Sequence, residues 1–219
     1  MKRIILAILA IAFGGAFVFL IFLLRQNDVQ AIGPAGTSIG LATLNQKVFD
    51  LLGTSDTLYK ITKYAIVIPI GAAAAFAVLG IIEAIKRRSV FKVDREILLL
   101  AVLYVAVLII YIVFEIVKIN YRPILLPGET TPETSFPSTH TLLCFSIIGS
   151  GMFVLPKYLK SKPLLIASEV VAGVLMVGIV AGRLASGAHW FTDIVGGVII
   201  SLALVCGYLS LLQPGKIRD

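Results

Sequence analysis

Charged side chains make up only 14% of this 219-residue chain, and 58% of it is hydrophobic. Soluble domains carry roughly a quarter charged residues. A chain this poor in charge cannot cover a water-facing surface, so most of it must face lipid. Cysteine is nearly absent. Cys144 and Cys206 are the only two, and they fall at different depths of their respective apolar runs, which excludes a disulfide between them. Histidine is equally sparse, with His140 and His189 alone. There is no internal repeat, no low-complexity tract and no sign of a second domain, so residues 1–219 read as one membrane domain.

What the chain has in quantity is uninterrupted apolar sequence. Crossing about 30 Å of hydrocarbon takes about 20 helical residues. Six stretches qualify, at 4–24, 64–85, 97–117, 141–155, 164–182 and 191–212, the fourth being short enough to need extension at one end. They are continuously apolar rather than alternating, which argues against barrel strands. Glycine and proline within them are tolerated, because a backbone in lipid has few alternatives to a helix. The expected fold is all-α, a polytopic membrane protein built as a six-transmembrane-helix bundle. The first run follows Lys2-Arg3 as a secretory signal would, but its 21 apolar residues exceed a signal's roughly 7–15 and no small-x-small site follows, so it reads as a retained span. Residues 26–63 are expected to form an outer-surface loop, with a short amphipathic helix suggested by Val48, Leu51, Leu52 and Leu58.

Orientation follows from the basic residues. With six spans, both termini share one side, which receives Lys2, Arg3, the run from Lys86 to Arg95, Lys157, Lys160, Lys162, Lys216 and Arg218, 12 of the 19 Lys and Arg. The positive-inside rule then places both termini in the cytosol, and both histidines on the outer side of a plasma membrane. The net charge of +7 is explained by this topology, with inner-leaflet lipid as a secondary partner and no need for nucleic acid.

The site-bearing segments are 118–140 and 183–193. His189 and Asp193 stand four apart, on one face of a helix, so the carboxylate can orient the imidazole and balance its charge. Arg183 lies six before His189 and shares its face only if the chain breaks at Ser186-Gly187. An arginine this close to hydrocarbon is costly unless it is paired or binds an anion. Pro137-Ser138-Thr139-His140 opens the fourth span, with Ser138 as its cap and backbone N–H groups from Ser138 to His140 available to an oxyanion. Lys118-Ile-Asn-Tyr-Arg122-Pro123 closes the third span, and Pro123 turns Arg122 out of the helix. Each element alone has an ordinary reading: interfacial pair, snorkelling arginine, capping serine, anchoring lysine.

Together these segments resemble the type 2 phosphatidic acid phosphatase superfamily of integral membrane lipid phosphatases, over about Lys118 to Asp193. The family's third motif reads Ser-Arg, five residues, His, three residues, Asp. Arg183, His189 and Asp193 keep its spacing, with Gly182 in place of serine. Its second, Pro-Ser-Gly-His, is matched by Pro137, Ser138 and His140, with Thr139 for glycine. Its first, Lys, six residues, Arg-Pro, is matched only at Arg122-Pro123. Glu115 stands where the lysine belongs, and Lys118, one turn nearer on a helix, is the substitute that could face the same pocket.

The resemblance implies phosphoryl transfer without metal or other cofactor. His189 would be the nucleophile, Asp193 its orienting acid and His140 the proton donor to the leaving oxygen. Arg122, Arg183, Lys118, Ser138 and Thr139 would hold the phosphoryl oxygens. The implied partner is a lipid phosphate in the bilayer, with undecaprenyl diphosphate favoured over phosphatidylglycerol phosphate and phosphatidic acid; the oligomeric state is left open. Two other readings remain at this stage. One is a lipid or anion transporter, or a catalytically inactive relative that binds phosphate lipids, in which the arginines serve only to bind. The other is a metal site of His140, His189 and Asp193, against which the neighbouring arginines weigh. Glu115 is expected to sit near Lys118 and tune it, and Glu169 has no assigned role.

Overall fold

Apolar runs become helices because only a helix pairs every backbone N–H and C=O within itself where water is absent. The computed structural model describes residues 1–126 and 128–213. Lys216 and Arg218, which contribute to the charge asymmetry, lie outside the described residues. The chain forms α1 (Lys2–Gln26), a short α2 (Ala42–Leu52), then α3 (Asp56–Ala65) and α4 (Val67–Arg87), which follow one another as a single span. The remaining helices are α5 (Arg95–Ile116), α6 (Thr139–Tyr158), α7 (Lys162–Ala185) and α8 (Phe191–Leu212). Six candidate spans result, and among the described residues there are isolated β-bridges but no strand. The chain is a multi-pass, all-helical membrane protein.

Helix ends differ from the apolar runs wherever polar residues continue a helix. The second span starts at Asp56 rather than 64, because Ser55 caps α3 by accepting the Leu58 N–H at 3.3 Å and Asp56 suits the positive helix terminus. The fourth runs the full 20 residues from Thr139 to Tyr158. The third stops at Ile116, with Val117 already extended (φ −88°, ψ 93°).

Burial divides the six spans into centre and periphery. In the apolar windows of α6 and α8, 44% and 39% of residues are buried, against 11% in α1 and α7 and 6% in α4. The peripheral helices show apolar faces such as Ile4, Phe22, Val67, Ile85, Val174 and Val177, as lipid contact requires. α1 lies along α8, and Phe17, on α1, stacks on Phe136 at 5.6 Å. α6 meets α8 closely because Gly196 and Gly197 carry no side chain. A Cβ at Gly197 would stand 2.9 Å from Thr141 Cβ, and one at Gly196 only 2.7 Å from Phe136 Cζ. Where α6 widens into a π turn over Cys144–Ile148, the Ser146 hydroxyl donates across to Ser201 (3.1 Å), whose own hydroxyl donates to the Gly197 carbonyl (2.7 Å). Cys144 and Cys206 are both free.

The far end of the bundle from the histidines is tied by charge. Glu83 on α4 accepts from the Asp94 N–H (2.8 Å) and the Tyr158 hydroxyl (3.1 Å), while Lys157 bridges Asp94 and Glu96 at 2.8 Å each. Lys157, helped by Arg87 and Tyr158, holds the Asp94 carboxyl at about 2 despite some desolvation.

Candidate active site

The chain between α7 and α8 turns at Gly187, whose φ of +72° is open to glycine and strained for other residues. That turn sets His189 just before α8, 3% exposed. Its Nδ1 lies 3.1 Å from the Ser135 carbonyl, an acceptor only, so Nδ1 carries the proton. Nε2 then presents its lone pair, 3.1 Å from Arg122 Nη1, which donates to it. Burial first, then the charges of Arg122 and Arg183, push the His189 pKa well below the ordinary histidine value and keep the ring neutral.

Asp193 is fully buried at the third position of α8. Its Oδ2 accepts the Trp190 N–H at 2.9 Å and stands 3.5 Å from His189 Nδ1. The two side chains do meet, but across the start of α8 and not along one helix face, because His189 precedes the helix. The closer partner of the imidazole, however, is the Ser135 carbonyl, which comes from a segment 54 residues away. The Ser135 and Asn120 side chains lie beside the Asp193 carboxylate.

Arg122 reaches the site from the loop after α5. Its Nε donates to Glu133 Oε2 at 2.9 Å, and its Nη1 also donates to the Ala188 carbonyl at 3.1 Å. A backbone pairing holds it there: Arg122 N–H donates to the Glu133 carbonyl and Ser135 N–H to the Asn120 carbonyl, both at 3.0 Å, around the Tyr121–Thr134 bridge. Lys118 does not join it. Helical spacing would place Lys118 near Arg122, but α5 has already ended at Ile116. Lys118 is exposed, with its ammonium 5.9 Å from the Tyr121 ring. Glu115, not Lys118, lines the pocket that holds Arg122 and His189, and the two form no ion pair among the described residues.

Ser138 is buried at the N-cap of α6, but it does not cap with its side chain. Its hydroxyl accepts from Thr141 at 3.1 Å, and its N–H donates to the Asp193 carbonyl at 3.0 Å. The oxyanion donors expected at 138–140 thus reduce to the N–H groups of Thr139 and His140, in the first helical turn where no intrahelical acceptor exists. His140 is half-buried and feels the charges of both Arg183 and Arg122. Arg183, in the last turn of α7, is 1% exposed. Its Nε and Nη1 have no acceptor among the described residues, and neither does His140 Nε2. The Tyr59 ring stands 5.5 Å from the guanidinium.

Two buried asparagines and a serine join the site without having been apparent in the sequence. Asn45 on α2 donates to Thr192 Oγ1 (3.0 Å) and accepts the Thr192 N–H (3.1 Å), which pins the segment expected to be a surface loop onto the start of α8. Asn120 accepts the Gly40 N–H at 3.0 Å. Asn120 and Ser135 flank residues that were singled out, and a polar side chain at the mouth of a span was the available signal. Asn45 carried none.

The pocket is small, about 20 Å³, and is lined by Tyr111, Phe114, Glu115, Arg122, Thr139 and His189 among others. It joins a neutral imidazole lone pair to a guanidinium at the mouth of an apolar bundle, a combination suited to attack on a phosphoryl group. No three His, Cys, Asp or Glu side chains converge as metal ligands among the described residues.

Residues 116–216 match the sequence model of the PAP2 superfamily. This part of the chain belongs to that superfamily. No curated protein matches the chain. Among solved structures, it is similar to the crystal structure described as the first transmembrane PAP2 type phosphatidylglycerolphosphate phosphatase from Bacillus subtilis. The TM-score is 0.66 over 95% of this chain and 98% of that one, at 16% identity. At that identity the likeness is one of fold, and it takes in α1 to α5, which lie ahead of the stretch matched by the sequence model. The chain thus has the fold of a PAP2 lipid phosphatase, and PAP2 membership supports a phosphatase activity.

Proposed function

We propose that this PAP2 protein hydrolyses a lipid phosphate through a phosphohistidine intermediate, without metal. His189 Nε2 attacks phosphorus, the bond to the leaving oxygen breaks, and His140 delivers a proton to that oxygen. Water then attacks the phosphohistidine, with its proton passing to His140. Phosphate departs and both imidazoles return to their starting state. Throughout, Nδ1–H stays on the Ser135 carbonyl, and Asp193, 3.5 Å behind it, balances the positive charge that the ring acquires on phosphorylation. Arg122, Arg183 and the N–H groups of Thr139 and His140 receive the phosphoryl oxygens. Lys118 has no part in this scheme.

The observation that carries the proposal is the fixed His189 tautomer, with the Nε2 lone pair beside Arg122. The unpartnered N–H groups of buried Arg183 supply a second anion-binding group. We place the site at the outer face of the plasma membrane with both termini cytosolic, on the asymmetry of the basic residues. There a lipid tail stays in the bilayer while its phosphate reaches water. Undecaprenyl diphosphate is the favoured substrate. Phosphatidylglycerol phosphate, on which the Bacillus subtilis protein acts by its description, and phosphatidic acid come next.

The test is phosphate release by the purified full-length protein in EDTA from these three lipids, with His189→Ala alongside. Release that depends on His189 supports the reading. A denatured sample quenched during turnover should carry acid-labile, base-stable phosphate. Absence of release from all three lipids, or release that survives His189→Ala, would overturn the proposal.

A further inference from the structure

We infer that Lys63, on α3, binds substrate at the leaving-group side of the site and selects a leaving group that carries a second phosphate. The inference rests on the phosphatase reading above. α3 lies across the end of α7 because residue 182 is glycine where the family motif has serine. A Cβ there would come within 2.5 Å of Thr62 Cγ2, and Thr62 is 3% exposed. This close crossing puts consecutive turns of α3 against the site. The Tyr59 ring lies beside the Arg183 guanidinium at 5.5 Å and the Lys63 ammonium at 5.8 Å, while the Lys63 backbone carbonyl faces the His140 ring. The anchor of Lys63 is therefore next to the group that protonates the leaving oxygen, and its side chain is exposed, with no salt bridge among the described residues.

Charge balance gives this lysine its role. A phosphate monoester carries about −1.5 to −2 near neutral pH, which two guanidinium groups can match. Arg122, however, already donates to Glu133, and Glu115 adds a further carboxylate to the pocket lining. A diphosphate brings more negative charge, and in the geometry proposed its inner phosphate is the leaving group beside His140. Lys118 is turned away, whereas Lys63 is anchored by its backbone beside His140 and carries its ammonium over Tyr59, the ring that also meets Arg183. A lysine supplies a compact, mobile ammonium suited to such a contact.

The test compares farnesyl diphosphate with farnesyl phosphate, which share a tail and differ in one phosphate, using full-length protein in EDTA. Lys63→Gln should lower kcat/KM for the diphosphate by about 10- to 100-fold, the range of one charge-assisted hydrogen bond, and should change the monophosphate less than about 3-fold. Lys63→Arg should restore most of the diphosphate activity, and Lys118→Gln should match the parent on both. Equal losses on the two substrates, or none, would overturn the inference. A second readout does not need turnover. Trp190, the one tryptophan, is followed by fluorescence while inorganic pyrophosphate or phosphate is titrated in. Weakened pyrophosphate affinity in Lys63→Gln with phosphate affinity unchanged supports the role of Lys63, and identical curves refute it. Failure of the parent to release phosphate from any lipid would count against the phosphatase reading alone.

Discussion

The replacement Asp193→Asn separates two roles that a carboxylate beside a catalytic imidazole can play. If it fixes the tautomer, its loss cripples the enzyme; in the serine protease triad the equivalent change costs about 10⁴ in kcat. Here the Ser135 carbonyl already accepts Nδ1–H at 3.1 Å, against 3.5 Å to Asp193 Oδ2. The amide should therefore leave the tautomer intact and remove only the charge that balances the phosphorylated ring. A charge-assisted contact of that kind contributes about 1.5–3 kcal/mol, which corresponds to a rate loss of about 10- to 150-fold in kcat with KM little changed. The assay is single-turnover phosphate release at saturating lipid, with folding checked by the thermal unfolding of Trp190 fluorescence. A loss near 10⁴ in a folded variant would refute the assignment of the tautomer to Ser135. A loss below about 3-fold would remove Asp193 from the mechanism.

Gly196→Ala should destabilise the fold by about 1–3 kcal/mol, because the new Cβ meets Phe136, which cannot retreat past Phe17 and Phe114. Gly173→Ala, with nothing within 4 Å, should not; a Gly196→Ala melting temperature equal to the parent's would contradict this account. Asn45→Ala should lower the melting temperature by several degrees, at about 1–3 kcal/mol for each buried partner left unpaired, and phosphate release should fall as α8's start loosens. No change in either would show that α2 is dispensable. Because the folded His189 pKa lies well below the unfolded value of about 6.5, the unfolded chain binds the proton more readily. The His189 contribution to stability is therefore fully present above pH 6.5 and shrinks as pH falls from there toward the folded pKa. Thermal unfolding at pH 7.5 and 5.5 should show a smaller acid-side loss in His189→Gln than in the parent, and parallel losses would argue against a neutral buried His189.

What the sequence determined by itself is whatever depends on composition or on neighbours along the chain. Apolar runs settled six helical spans because a backbone in lipid has no other way to bond its polar groups. Spacing of four paired His189 with Asp193, although His189 lies before α8 and meets the carboxylate across the helix start and not along one face, and Ser186-Gly187 announced the turn that frees Arg183 from the helical offset. The same local reasoning misjudged Lys118, since it assumed that the helix which ends at Ile116 ran on, and in 26–63 it expected one short amphipathic helix where there are two, Ala42–Leu52 and Asp56–Ala65, because polar residues masked the start of the second. The tertiary structure alone decided which partner each of these groups meets. The Ser135 carbonyl, the Asn45 amide and the Lys63 backbone come to the site from segments 54, 147 and about 77 residues from their partners. Nothing in a local pattern encodes such contacts, because they depend on how closely helices cross. Those approaches are set by single glycines, Gly182, Gly196 and Gly197, whose effect is visible only once the facing helix is in place.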